Sequence, residues 1–240
     1  MKKHLFLILA ALCGLSGFAQ NNATTQFDTF GFTEKEYNHA IFVGPVLGAN
    51  MTMTSGKESH GLFEGTGVGF TGGVAAKVRF GHGTENSMEG TGMFAAGFEL
   101  KYTLNNAKTK ADKNLSLGYL DIPVLVQFYP LAGTTTANGL FIEAGPDFAV
   151  LMSKSPDKLN LALNQPYPKP QAVEYHTGDL KGGDLRVALG LGYECALSNM
   201  DLGVHARYYL GTSELAKEVL PVKLNTFELS LSLMFKVAKF

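Results

Sequence analysis

Thr226-Phe227-Glu228-Leu229-Ser230-Leu231-Ser232-Leu233-Met234-Phe235-Lys236-Val237-Ala238 alternates with period two: Phe227, Leu229, Leu231, Leu233, Phe235 and Val237 share one face. Glu228, Ser230, Ser232 and Lys236 share the other, which is the pattern of a strand with one apolar and one polar side. Working backwards, Leu202, Val204, Ala206, Tyr208 and Leu210 stand against Asp201, Gly203, His205, Arg207 and Tyr209. Leu185 to Leu197 repeats the pattern with Arg186, Gly190, Gly192 and Glu194 on the polar side, and Phe94 to Leu104 does so with Gly97, Glu99 and Lys101. Eight such segments are expected, at about 41–54, 66–80, 92–104, 116–129, 139–152, 185–197, 200–210 and 226–238.

Two architectures write this alternation. A soluble barrel or sandwich turns the apolar face inward, whereas a transmembrane barrel turns it toward lipid and fills the lumen with polar groups. The segments run about 11–15 residues, long enough for the ~9–11 of a tilted membrane strand, where globular strands average nearer 5–6. Glycine supports the membrane reading. The chain holds 28 Gly in 240 residues, about 12% against a usual ~7%, and Gly67, Gly69, Gly73, Gly190 and Gly192 fall on the polar face. Small residues there suit a crowded lumen. The polar phase also carries Lys77, Arg79, Lys101, Arg186, Arg207 and Lys236 against Glu99, Asp121, Glu143, Asp147, Glu194, Asp201 and Glu228. Each Arg or Lys set against the bilayer midplane would cost about 2–4 kcal/mol, so this phase must face the lumen. In a barrel of eight strands the side chains fill the interior, and these charges are expected to pair across strands and plug it.

The first twenty residues read as an address. Lys2 and Lys3, the apolar run Leu5 to Leu12 and Gly17-Phe18-Ala19 before Gln20 form a secretory signal peptide over residues 1–19. The apolar run is too short to span a bilayer, and Leu12 before Cys13 does not suit a lipoprotein site. Loss of Lys2 and Lys3 takes the formal net charge from −1 to −3, and Cys195 is left without an internal partner. Residues 20–40 are expected to form a periplasmic lead-in, and 41–240 the barrel. With the lead-in inside, the connections 55–65, 105–115, 153–184 and 211–225 fall outside and 81–91, 130–138 and 198–199 fall inside. Long outer loops and short inner turns are the habit of outer-membrane barrels. Phe80, Tyr102, Phe128, Tyr129, Tyr208, Tyr209 and Phe227, near strand ends, are expected to form interfacial girdles.

Tyr119-Leu120-Asp121-Ile122-Pro123, followed by Val124 to Tyr129 and by Phe141-Ile142-Glu143-Ala144-Gly145-Pro146, resembles the outer-membrane β-barrel family that includes PorT-type proteins. In that family a Tyr-Leu-acidic-Ile-Pro strand precedes one ending in Ala-Gly-Pro. The resemblance covers the chain from about residue 41 to the end. It implies an outer-membrane location and, for some members, service in protein secretion linked to the type IX system; it carries Asp121 and Pro123 over as structural positions only. One departure is visible. The lipid-facing phase of the last strand is odd-numbered and Phe240 is not, so either a bulge lies near Val237 to Lys239 or the terminal aromatic signal is imperfect.

Motifs of chemistry are weak. Gly67-Val68-Gly69-Phe70-Thr71-Gly72 has the G-x-G-x-x-G spelling, but a strand follows it where a nucleotide site needs a helix. His39, His60, His82, His176 and His205 have no metal-ligand spacing. His205 shares its face with Asp201 and Arg207, and a structural partner is favoured over a hydrolase role. No catalytic, cofactor or metal site is expected. The net charge argues against a nucleic-acid partner; the expected partners are outer-membrane lipid and envelope or secretion proteins, met through 153–184, with its Pro156, Pro166, Pro168 and Pro170, or through the periplasmic turns. The reading is therefore an all-β, eight-stranded antiparallel transmembrane barrel in the outer membrane, structural or secretion-associated and not an enzyme. A lipid-modifying outer-membrane enzyme and a soluble lipocalin-like binding barrel are the alternatives.

Overall fold

The computed structural model describes residues 39–55, 63, 66–80, 92–109, 114–132, 139–163, 171–176, 180–197, 200–215 and 222–239. Residues 1–38, with the expected signal peptide and nearly all of the lead-in, and His60, His82 and Phe240 lie outside them. Eight long strands carry the alternating segments: β1 (Ala40–Ser55), β2 (Gly67–Arg79), β3 (Phe94–Ala107), β4 (Leu115–Phe128), β5 (Leu140–Ser155), β8 (Gly183–Leu197), β9 (Met200–Gly211) and β10 (Lys223–Lys239). They close antiparallel in the order β1-β10-β9-β8-β5-β4-β3-β2, with β10 zipped to β1 from Ser55↔Lys223 to Ala40↔Lys239. Closure removes both sheet edges, which a bilayer without hydrogen-bonding solvent requires. The G-x-G-x-x-G string runs along β2 with no helix after it.

The connection 153–184 is not simply a loop. It holds a separate hairpin of β6 (Lys158–Leu163) and β7 (Gln171–His176), paired from Lys158↔His176 to Leu163↔Gln171. The barrel has the eight strands expected from the sequence, and this hairpin stands beside it as a separate two-stranded sheet among the described residues. The phase problem at the end of the chain is met by a bulge. Ile41 pairs with Ala238 and Phe42 with Lys236, so Val237 is the extra residue.

Glycine has two uses here. At Gly190 a Cβ would stand 2.9 Å from Arg207 Cγ and 3.0 Å from Glu143 Cγ, and at Gly203 it would stand 2.4 Å from Ser232 Oγ. These glycines make room for polar side chains, as the sequence suggests. The second use lies in the wall. The β1–β10 ladder skips from Val43↔Phe235 to Val46↔Ser232 at Gly44-Pro45, and the β4–β5 ladder skips from Pro123↔Asp147 to Val126↔Ala144 at Gly145-Pro146. Proline cannot donate to a ladder. At both places the neighbouring strand's carbonyl oxygen moves in over the preceding glycine: a Cβ on Gly44 would lie 1.8 Å from Leu233 O, and one on Gly145 1.9 Å from Val124 O. The wall stays closed because those side chains are missing. Gly44→Ala and Gly145→Ala should each lower stability by about 1–3 kcal/mol through overpacking, read as a smaller fraction of the fast-migrating folded form on unboiled gels.

Candidate functional site: a charged lumen inside an apolar wall

The two faces of the wall are sorted by chemistry. Leu47, Val68, Val126, Ile142, Leu191, Leu229 and Leu231 are more than half exposed on the outside. On β3 the outward apolar series runs from Phe94 to Leu104. Ten steps of about 3.4 Å at a tilt near 40° make it roughly 26 Å tall, close to the ~25 Å apolar band of outer-membrane barrels. Polar bonds replace it at the loop end. Asn106 Nδ2 donates to Val68 O at 2.6 Å, Ser116 Oγ donates to Asn106 Oδ1 at 2.6 Å, Tyr102 Oη lies 3.0 Å from Ser153 Oγ, and Asn225 Nδ2 donates to Ser55 Oγ at 3.1 Å. A wet surface would have no reason to switch from apolar to polar at one height.

Inside, the sequence-predicted charges are buried. Arg207 on β9 is the central cation: Nε donates to Glu143 Oε1 at 2.5 Å and Nη1 to Glu99 Oε2 at 2.7 Å, with Glu228 Oε1 at 3.8 Å. Lys101 on β3 meets Glu228 at 2.7 and 2.9 Å and the Tyr209 hydroxyl at 2.7 Å. Arg186 on β8 donates through Nε to Asp147 Oδ2 at 2.6 Å; its Nη2 also meets Asp147 Oδ2 and lies 2.7 Å from Asp121 Oδ1, a charge contact without hydrogen-bond alignment. Lys77 is bonded to Glu194, with Asp201 at 3.9 Å. Arg79 lies over the Tyr129 ring at 3.7 Å and donates to Gly92 O at 3.2 Å. Lys236 is half-buried. Buried charges need this much compensation, since an unpartnered one costs several kcal/mol.

The belt explains the motifs of β4 and β5. Tyr119 and Asp121, from Tyr-Leu-acidic-Ile-Pro, both face Arg186, whose guanidinium carbon sits 5.8 Å from the Tyr119 ring centre. Glu143, from the strand ending in Ala-Gly-Pro, is the main acceptor of Arg207. The girdle assignment needs correction. Phe80, Tyr102 and Phe227 are outward, but Tyr129 and Tyr209 are 0% and 1% exposed and point into the lumen. There Tyr129 lays its ring against Arg79 and donates its hydroxyl to Glu194 Oε2 at 2.8 Å, while Tyr209 offers both ring and hydroxyl to Lys101.

His205 sits beside Arg207 as its phase implies, while Asp201 goes to Lys77 instead. Its Nε2 lies 2.9 Å from Ser232 Oγ and its Nδ1 lies 3.4 Å from Glu143 Oε1, so Ser232, His205 and Glu143 stand in line like a hydrolytic triad. Arg207 joins the same line. Its Nη2 is 3.0 Å from His205 Nδ1, and an arginine can only donate. Nδ1 therefore stands between a donor, Arg207 Nη2, and an acceptor, Glu143 Oε1, and the carboxylate that would orient it is already engaged by Arg207. A luminal cavity of about 30 Å³ lies here, lined by Lys77, Gly97, Gln127, Glu194, His205 and Ser232 among others. Ser232 and Glu143 as partners of His205 were invisible in the sequence, because phase assigns a face and not a register.

Apolar groups close both ends of the belt. At the end where Ala40 pairs with Lys239, Phe42, Ala75 and Met234 form one buried cluster and Ala95, Tyr129 and Phe141 another. At the loop end Phe63, Leu115, Leu117, Leu180, Leu215, Val222 and Leu224 pack together. Backbone bonds lace this cap: Lys181 N to Leu215 O at 3.0 Å, Leu215 N to Val222 O at 2.9 Å and Leu151 N to Gly182 O at 2.8 Å. Among the described residues no group of three or more His, Cys, Asp or Glu is arranged to hold a metal ion.

No curated protein matches the chain. Among solved structures, Neisserial surface protein A is similar, at 16% identity over 82% of this chain and 96% of that one, with a TM-score of 0.41. Ail, the attachment invasion locus protein of Yersinia pestis, solved with the heparin analogue sucrose octasulfate, is similar at 12% identity over 82% of this chain and 99% of that one, with a TM-score of 0.37. The model of the family described as outer membrane protein beta-barrel domain matches residues 18–216. With that match covering most of a chain whose wall is apolar outside and charged within, the protein belongs to the outer membrane protein beta-barrel domain family.

Proposed function

We propose that this chain is an exported, non-catalytic outer-membrane barrel with a sealed lumen, serving a structural or secretion-associated role in the cell envelope. In this reading residues 1–19 are removed on export, the lead-in and both chain ends lie in the periplasm, and the 153–184 connection is the extracellular face offered to a partner protein. The observation that carries it is the belt itself: five buried cations and seven buried carboxylates bridge the lumen, with apolar clusters at both ends. A belt tied this tightly resists both solute passage and substrate entry. The PorT-type resemblance supports the secretion-associated form of the role, and its motif residues Tyr119, Asp121 and Glu143 all serve the belt.

The sealed lumen has a direct test. Purified barrel in a planar bilayer should give no stable conductance steps; a reproducible open level would overturn the reading. For the role, affinity purification of the assembled protein from cells should bring down envelope or secretion proteins, and deletion of 158–176 should release them while the barrel still folds. Retention of every partner by that deletion would exclude the hairpin as the contact.

A further inference from the structure

We draw no further inference here: the strongest candidate, the Ser232–His205–Glu143 line beside the luminal cavity, belongs to the buried network already described, where Arg207 engages both Glu143 and His205.

Discussion

Arg207→Ala should unfold the barrel more readily than any other single change inside it. The substitution leaves Glu143 and Glu99, each about 5% exposed or less, without the guanidinium that lies 2.5 and 2.7 Å from them. Breaking a buried pair from one side costs about 3–5 kcal/mol, because a carboxylate remains in a place water does not reach. Arg207→Lys keeps the charge but loses the fork that reaches Glu143 and Glu99 together, so it should fall in between. Adding Glu143→Gln and Glu99→Gln to the alanine variant should recover much of the loss by removing the stranded charges. Urea midpoints of folded barrel in detergent, read by gel mobility, would rank the four proteins. An alanine variant as stable as the parent would mean that the belt does not hold the fold.

The second large effect is on the outside. Leu231→Arg places a charge on a side chain that is 56% exposed in the middle of the apolar band of β10. If that face meets lipid, the charge costs about 2–4 kcal/mol near the midplane and assembly should fail. Its neighbour Ser232 faces inward and meets His205, so Ser232→Ala removes one hydrogen bond, worth about 1 kcal/mol, and should assemble. Outer-membrane fractionation and the heat-dependent gel shift report both. The opposite ranking is what a soluble barrel with inverted faces would give.

Much of this wall was legible from phase alone. The segment at 226–238 became β10 (Lys223–Lys239) and that at 185–197 became β8, because strict alternation over a dozen residues fits only a long strand with unlike faces. Registers were not legible. That Arg207 meets Glu143 and Glu99 rather than Asp201, its neighbour on β9, depends on how β9, β5 and β3 are staggered around the barrel, and no local pattern encodes stagger. The inward turn of Tyr129 and Tyr209 could have been read from parity, since Arg207 and Tyr209 share a phase; position near a strand end was the weaker signal. The β6–β7 hairpin was missed for a different reason. Its strands have six residues each and flank a stretch containing Pro166, Pro168 and Pro170, which reads as loop. The Gly-Pro sites show the same limit: composition marks the glycine excess, but only strand contact reveals that Gly44 and Gly145 sit under a neighbour's carbonyl.

The central claim is that the odd-numbered face of β10 lies in hydrocarbon, and the absence of tryptophan from the chain makes it directly measurable. Leu231→Trp and Leu215→Trp would each introduce a single fluorophore, one on the wall and one in the loop-end cap. In vesicles with bromine placed deep in the acyl chains, the account predicts strong quenching of the Leu231→Trp protein and little of Leu215→Trp. Equal, weak quenching of both would contradict it.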